Sequence, residues 1–225
     1  MIVIECDQGT EEWFLARQGI PTASNFGKII TPSTGAASKS QLGYIAELIA
    51  DTAMGGAPEG VEGYTSRAMQ HGIETEPAAR AAYSLIEGGE VKQVGFCVHD
   101  SGLFGGSPDG LVGDDGGLEL KCPNGSTHVE YLMAGVLPIK YKCQVHGSLL
   151  VTGRKWWDFM SFSYGLPPFI IRVFPDDFTA SLHRELLKFC GNYKKWQETD
   201  LFKSLYEPKP EPTAEEQQAA VDAMF

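Results

Sequence analysis

Residues Ser107 to Pro123, SPDGLVGDDGGLELKCP, form the stretch that decides the fold. The run Leu118-Glu119-Leu120-Lys121 alternates, so in a strand Glu119 and Lys121 lie on one face and the leucines on the other. Asp109 ends the preceding extended segment, and the glycines between the two segments let the chain turn back sharply. The sequence therefore predicts a hairpin that brings Asp109, Glu119 and Lys121 together.

Two carboxylates and one ammonium group at one place have the composition of a hydrolytic metal site. Mg²⁺ takes oxygen ligands, usually one or two carboxylates together with water and substrate phosphate. A lysine beside the metal can orient or deprotonate the attacking water, because nearby positive charge and desolvation lower its pKa. The alternative is a surface hairpin on which Glu119 and Lys121 form an ion pair of little energetic value. The Pro-Asp-Gly sequence before the strand favours the metal site.

Pro108-Asp109 followed by Glu119-Leu120-Lys121 resembles the PD-(D/E)xK nuclease signature. The pieces SPDG and LELKCP are similar to those of the phage lambda exonuclease family. The resemblance implies an α/β, restriction-endonuclease-like fold with a central mixed β-sheet flanked by helices. It also implies that Asp109, Glu119 and the Leu120 carbonyl bind Mg²⁺, with Mn²⁺ as a substitute. Lys121 would then act on the attacking water.

Two helical elements resemble further family elements. The segment 72–76, GIETE, resembles the G-x-x-x-E element, which implies that Glu76 helps to bind the metal. Glu74 is the alternative ligand, and a solvated helix face is the alternative for both. The segment 141–144, YKCQ, resembles the Y-x-x-Q element, which implies that Gln144 supports the active site.

Near the N-terminus, residues 17–24, RQGIPTAS, resemble the family's R-x-G-x-x-T-A-S element. This implies that Arg17 and Ser24 hold the terminal 5′-phosphate of the degraded strand. A short helix is expected over 25–30 with its cap in residues 22–24, and a helix N-terminus can hold a phosphate through its free N–H groups. The alternative is ordinary capping by Ser24 and a solvated Arg17.

Composition bounds these inferences. A chain of 225 residues predicts one nuclease domain, over residues 1–206, and the Pro-rich, acidic residues 207–225 predict a spacer and tail. The net charge of −11 speaks against a simple DNA-binding protein, which usually carries a basic surface. The tail has five acidic residues and one lysine, which leaves −7 for the rest. Residues 140–142 and 154–157 are candidates for a local basic surface.

The sequence also bears on location. It has no signal-peptide pattern and no apolar run long enough to cross a bilayer, so no membrane association is expected. Five cysteines without a CxxC pair fit a reducing compartment. We expect a cytoplasmic protein, and the resemblance implies a bacterial host with a phage or prophage gene.

For function, the resemblance implies a Mg²⁺-dependent 5′→3′ exonuclease. It would digest one strand of linear double-stranded DNA to mononucleotides and leave a 3′ overhang for phage recombination by strand annealing. The resemblance also implies a ring-shaped homotrimer and a phage single-strand annealing protein as partner. Two alternatives stay open. A PD-(D/E)xK endonuclease or resolvase would release fragments, and a non-catalytic DNA-end-binding recombination scaffold would cut nothing.

Periodicity, capping residues and turn residues predict the remaining elements. Helices are expected over 10–17, 40–54, 65–87 with interruptions at Gly72 and Pro77, 126–135, 139–151 and 176–201. Strands are expected over 91–99, 103–107, 156–164 and 169–174.

Overall fold

The computed structural model describes residues 1–55 and 67–206. The expected loop after Gly55 and the expected acidic tail over 207–225 lie outside the described residues. The helices are α1 (Glu11–Arg17), a 3-10 helix (Ala23–Lys28), α2 (Gln41–Ala53), α3 (Arg67–Glu87), α4 (Gly125–Ala134), α5 (Ile139–Thr152), α6 (Asp177–Gln197) and α7 (Asp200–Tyr206). The strands are β1 (Ile2–Ile4), β2 (Val91–Lys92), β3 (Phe96–Val98), β4 (Gly105–Gly106), β5 (Gly110–Val112), β6 (Gly116–Lys121), β7 (Trp156–Ser161) and β8 (Phe169–Val173).

A five-stranded sheet in the order β2-β5-β6-β7-β8 forms the centre of the described structure. β6 and β7 run parallel, and the other neighbouring strands run antiparallel. A second, antiparallel sheet has the order β1-β3-β4. The predicted α/β architecture with a central mixed sheet is confirmed, and the strand carrying Glu119 and Lys121 lies in its middle.

The predicted hairpin is β5–β6, and its glycines are needed for two different reasons. Gly113 has φ +51°, a turn conformation that other residues rarely adopt. Gly116 and Gly117 lie under the rings of Trp156 and Trp157, where an added Cβ would be only 2.1 to 2.2 Å from ring atoms. The chain can therefore both turn back and pass beneath two tryptophans.

The two faces of β6 are covered by different helices, as the alternating sequence predicts. Leu118 and Leu120 pack in a cluster with Ala79 and Tyr83 of α3. On the other face, Tyr141 of α5 lies beside Lys121, whose Nζ is 5.4 Å from the centre of the tyrosine ring. Burial of the leucine face holds the hairpin against α3 and leaves the charged face toward α5.

Some predicted boundaries are wrong. α3 is continuous over its described length through Gly72 and Pro77, although the proline removes one helical hydrogen bond. Ala79 and Tyr83, which follow the proline, are fully buried, and this packing outweighs the lost bond. The expected strand 91–99 is split into β2 and β3, which join different sheets. At the break, the Gln8 amide donates to the carbonyls of Val94 (3.0 Å) and Pro108 (2.9 Å).

Three helix ends also differ from the predictions. The segment expected to be a helix over 25–30 is the 3-10 helix Ala23–Lys28, and its first residue follows Thr22, which makes no side-chain capping bond. The helix expected over 126–135 is α4, which begins at Gly125 because the Asn124 side chain caps it by accepting from the Thr127 N–H. The long C-terminal helix ends at Gln197, and α7 follows it. In residues 1–55 and 67–206, no helix combines the length and apolar character that a membrane span requires.

Candidate active site

Asp109 lies where the β5–β6 ladder stops. The last pair of that ladder is Gly110 with Leu118, so the next part of β6 has no main-chain partner on this side. The Asp109 carboxylate takes that place, because its Oδ2 accepts the Leu120 N–H at 2.7 Å. The strand end therefore positions the Asp109 carboxylate directly beside Glu119 and Lys121.

Glu119 and Lys121 face the same side of β6, as the two-residue period requires. Glu119 is only 1% exposed, although it lies on a sheet that ends at a cleft. Lys121 Nζ lies 2.5 Å from Glu119 Oε1. The sequence prediction that Asp109, Glu119 and Lys121 come together is confirmed by this geometry.

The site holds two carboxyl groups beside one ammonium group. Burial raises the pKa of Asp109, and the neighbouring Glu119 carboxylate raises it further. Burial also raises the pKa of Glu119, against the opposing effect of Lys121. Burial opposes the charged form of Lys121, but Glu119 and Asp109 outweigh it, so the Lys121 pKa lies above its ordinary value. The lowered pKa expected of Lys121 refers to a lysine beside a bound cation, so this shift, which comes from the protein's own charges, leaves that expectation a prediction.

Glu76 of α3 lies close enough to the same place to contribute to the raised pKa of Asp109. Its Oε1 lies 2.5 Å from Nη2 of Arg80, one helical turn later. Arg80 also donates to the Asp109 carbonyl, at 3.3 Å from Nε and 3.2 Å from Nη2. Glu74, the alternative ligand, is exposed and accepts from Gln70 at 2.7 Å. Of the two glutamates, Glu76 is therefore the one that lies at the site.

The donor set fits a hard divalent cation. Neither oxygen of the buried Glu119 carboxylate accepts a well-directed hydrogen bond from a described residue. Buried oxygens of this kind are stabilised by a cation, and carboxylate oxygens are the ligands that Mg²⁺ prefers. Across residues 1–55 and 67–206, no three His, Cys, Asp or Glu side chains form a ready-made cage. A Mg²⁺ ion held by one or two carboxylates usually keeps water and substrate oxygens as its remaining ligands.

A cleft of about 890 Å³ opens onto Asp109 and Glu76. Asp109 lies in its lining together with Glu76, Pro77 and Arg80 of α3 on one side and the segment Glu5–Gly9 on another. Its size suits an extended portion of a nucleic-acid strand or a small molecule.

Arg17 is joined to the metal-site segment through Ser107. The Ser107 hydroxyl accepts from Arg17 Nη1 at 2.8 Å and from Trp13 Nε1 at 2.9 Å. The Arg17 guanidinium also stacks 4.1 Å from the centre of the Trp13 ring. Ser107 stands two positions before Asp109 in the sequence. The Arg17 guanidinium is therefore hydrogen-bonded to the segment that carries the Asp109 carboxylate. Sequence reasoning missed Ser107 and Trp13, although both stand inside or beside quoted motifs.

Ser24 and Gln144 are less closely tied to the cluster. Ser24 is exposed, and its hydroxyl lies 3.3 Å from that of Thr22. Thr22 and Arg17 line a second cavity of about 330 Å³. Among the described residues, the contact of Ser24 with Thr22 is what connects Ser24 to the surroundings of Arg17. Gln144 lies half-buried on α5 one turn after Tyr141, and no hydrogen bond joins its side chain to the described cluster.

The two candidate basic stretches differ. Arg154 Nη1 donates to the carbonyls of Val112, Gly113 and Gly116, so it braces the β5–β6 turn rather than facing a ligand. Lys155 pairs with Asp115 at 2.8 Å. Lys140, by contrast, lies 4.9 Å from the ring of Tyr141, close to the charged face of β6.

Comparison with known proteins gives consistent matches. A family model described as the YqaJ-like viral recombinase domain matches residues 12–155. The crystal structure of the alkaline exonuclease LHK-Exo from Laribacter hongkongensis matches with a TM-score of 0.74 and 34% identity, over 95% of this chain and 100% of that chain. LHK-Exo in complex with dAMP matches with a TM-score of 0.72 and 39% identity, over 84% and 95%.

A phage-related exonuclease from Haemophilus somnus 129PT matches with a TM-score of 0.62 and 13% identity, over 81% of this chain and 96% of that chain, which bears on the fold alone. A search of curated protein sequences found no match. The matches to the alkaline exonuclease confirm the PD-(D/E)xK fold that the motif resemblance implied.

Proposed function

Because the chain belongs to the YqaJ-like viral recombinase family, we propose that it is a Mg²⁺-dependent 5′→3′ exonuclease. It degrades one strand of linear double-stranded DNA to mononucleotides and leaves a 3′ single-stranded overhang for strand annealing. The observation that carries this proposal is a pair of carboxyl groups, those of the half-buried Asp109 and the buried Glu119, that share one ammonium group, Lys121. LHK-Exo, a relative of similar size, is an alkaline exonuclease and has been crystallised with dAMP.

In the proposed site, Asp109, Glu119 and the Leu120 carbonyl hold Mg²⁺, with Glu76 completing its surroundings. Mn²⁺ would serve as a substitute, since it also accepts oxygen ligands. When bound, the cation supplies charge stabilisation at the scissile phosphate and lowers the pKa of bound water. Neutralising the two carboxylates also removes the charges that raise the Lys121 pKa.

Lys121 then orients the attacking water, because its ammonium is fixed between Glu119 and the Tyr141 ring. Gln144 lies one turn further along α5 and supports the same side of the site. These roles divide the work. The carboxylates hold the cation, whereas Lys121 positions the nucleophile at a charged but desolvated location.

Arg17 and Ser24 anchor the 5′-phosphate of the strand being degraded. The Arg17 guanidinium is already oriented by Ser107 and Trp13, so little side-chain entropy is lost when it binds a phosphate. Ser107, to which the guanidinium donates, stands two positions before Asp109, and this coupling of the terminal anchor to the cutting site gives the reaction its direction.

We further propose that residues 1–206 act as one nuclease domain in a homotrimeric ring in the bacterial cytoplasm. A phage single-strand annealing protein would take over the overhang. Residues 207–225 would form the spacer and acidic tail.

The direct test is digestion of a linear duplex with either a 5′-phosphate or a 5′-hydroxyl end, in Mg²⁺ and in EDTA. We expect mononucleotide release that requires Mg²⁺ and is faster from the phosphorylated end. Internal fragments would instead support an endonuclease or resolvase. DNA binding without any cleavage would support a non-catalytic scaffold.

A further inference from the structure

Arg80 lies between the two halves of the proposed metal site. Its side chain is only 15% exposed, and its guanidinium donates to Glu76 Oε1 on its own helix and to the Asp109 carbonyl at the end of the strand segment. The Gln93 amide, with its oxygen turned toward Arg80, accepts from Nη1 at 3.1 Å and Nη2 at 3.2 Å. An arginine can make up to five such donations in a fixed planar geometry.

The charge of the cleft makes Arg80 unusual. Among the described residues that line it, Arg80 is the one lysine or arginine, while the acidic groups are Glu5, Asp7, Glu76 and Asp109. A nucleic-acid backbone carries one negative charge for each phosphate, so it is repelled by this lining unless cations compensate. The protein itself supplies one such cation within the cleft, and it is Arg80.

Glu76 faces two competing demands. Its carboxylate is bonded to Arg80 in the protein without a cation, yet its position beside Asp109 suits a cation ligand. A carboxylate that turns toward a cation gives up charge-assisted hydrogen bonding to the guanidinium. The freed donors of Arg80, fixed by the Asp109 carbonyl and Gln93, would then point into the cleft beside the metal site.

We propose that Arg80 is a substrate-binding residue that exchanges partners. Glu76 passes from Arg80 to the divalent cation, and the released guanidinium binds a backbone phosphate of the strand in the cleft. This inference rests on the proposed function. It predicts that cation binding and DNA binding strengthen each other through Arg80. Cation binding takes Glu76 away from Arg80 and frees the guanidinium for a phosphate, and phosphate binding by Arg80 frees Glu76 for the cation.

The test measures binding rather than turnover. Ca²⁺ affinity is measured by calorimetry without DNA. The affinity for a short blunt 5′-phosphorylated duplex is measured by fluorescence anisotropy in Ca²⁺ and in EDTA. The absence of cleavage is verified on the same samples. The variants are Arg80→Gln and Arg80→Lys. Arg184→Gln is the matched control, since Arg184 is exposed on α6 and bonds only to Ser181.

We expect Arg80→Gln to bind Ca²⁺ more tightly than wild type, because Glu76 no longer has to leave a guanidinium. In Ca²⁺ its DNA affinity should fall about tenfold, the loss typical of one charge-assisted contact. In EDTA it should stay within about twofold of wild type, since Arg80 is then occupied by Glu76. Arg80→Lys should recover part of the DNA affinity, because it keeps the charge but lacks the planar donor geometry.

Two results would overturn the inference. Weaker Ca²⁺ binding by Arg80→Gln would mean that Arg80 only holds Glu76 in place for the cation. Wild-type DNA affinity of Arg80→Gln in Ca²⁺ would mean that Arg80 does not contact substrate. If Arg80→Gln does not fold, the same two criteria apply to Arg80→Lys. Failure of the proposed function is a separate outcome, since it is read from the cleavage products of wild type in Mg²⁺, whereas this test compares binding by wild type and variants in Ca²⁺ and EDTA.

Discussion

Two neighbouring strands of the central sheet each bury a carboxylate, and the two carboxylates are treated in opposite ways. Asp158 on β7 is 0% exposed and fully partnered: Tyr83 donates to Oδ2 at 2.6 Å, and Arg172 donates to both oxygens at 2.8 and 2.7 Å. Glu119 on β6 is 1% exposed, is paired with Lys121, and has a second carboxylate, Asp109, beside it.

The difference separates a structural carboxylate from one that we propose to bind the cation. A buried charge that is hydrogen-bonded on every side ties elements together, and here it joins α3, β7 and β8 through Tyr83, Asp158 and Arg172. A buried charge with excess like charge around it is destabilising until a ligand compensates it. We therefore expect the carboxylate on β6 to lower the stability of the protein without a cation, and the carboxylate on β7 to raise it. This is the pattern expected of a cation site built into a rigid sheet.

The largest expected effect comes from Glu119→Gln, which removes a proposed cation ligand while keeping the side-chain shape. We expect nuclease activity to fall by about 10³-fold or more, since several kcal/mol of transition-state stabilisation depend on the cation. The free energy of unfolding measured in EDTA should not fall, because the buried negative charge is gone. Single-turnover digestion and urea unfolding measure the two quantities. Lost stability together with retained activity would mean that Glu119 has a structural role and not the proposed role as a cation ligand.

Lys121→Ala tests the positive member of the same cluster. Activity should fall by about 10²- to 10⁴-fold, the range for a group that acts on the nucleophile. The measurement is the single-turnover rate at saturating Mg²⁺. Lys140→Ala is the control, because it removes a lysine that also lies near Tyr141 but makes no ion pair with Glu119. Full activity in Lys121→Ala would remove the role proposed for it with water.

Asp158→Asn should have the opposite effect to Glu119→Gln. It breaks a buried ion pair with Arg172, and the expected loss is about 3 kcal/mol of unfolding free energy. At a temperature where the variant remains folded, its activity should stay close to that of wild type, because none of these hydrogen bonds reaches Asp109, Glu119 or Lys121. Equilibrium unfolding in urea and initial digestion rates measure the two properties. A large activity loss in fully folded protein would connect the two carboxylates functionally.

The sequence predicts the position of the two proposed cation ligands better than that of the structural carboxylate. Asp109, Glu119 and Lys121 are local to one hairpin, so a two-residue period and a glycine turn suffice to bring them together. Asp158 obtains its partners from α3 and from β8, which are 75 and 14 residues away along the chain. Such partners depend on strand order and helix packing, and no local pattern reports them.

The same reason explains the wrong boundaries. Proline at position 77 predicts an interruption when only α3 is considered, whereas burial of Ala79 and Tyr83 on the sheet keeps the helix continuous. The alternating residues 91–99 predict one strand, but Gln8, more than 80 residues earlier, bonds at the point where β2 and β3 separate. Arg80 was missed as well, because its contact with the Asp109 carbonyl exists only after α3 has packed beside the hairpin.

The comparison also predicts a pH dependence of stability without a cation. The folded-state pKa of Asp109 is raised by burial and by Glu119, so the folded state holds its proton at pH values where the unfolded chain has released it. Stability in EDTA therefore falls as the pH rises above about 4, the ordinary carboxyl range. Asp109→Asn should flatten this part of the profile, and Asp158→Asn should not. A saturating divalent cation should restore about 2 to 3 kcal/mol at neutral pH. Thermal unfolding across pH, with EDTA or Mg²⁺, measures each of these effects.

Tyr83→Phe gives the smallest expected change and tests the comparison most finely. It removes one donor from Asp158, while both Arg172 bonds to that carboxylate remain. The loss of one buried hydrogen bond should lower the free energy of unfolding by about 1 kcal/mol. Activity should be unchanged, although Tyr83 stands on the same helix as Glu76 and Arg80, because packing of the Tyr83 ring against Leu118 and Leu120 is preserved in phenylalanine. A tenfold loss of activity with a stability change of only about 1 kcal/mol would contradict this expectation. It would mean that the Tyr83 hydroxyl fixes the rotation of α3 at the site. The carboxylate on β7 would then contribute to function and not only to stability.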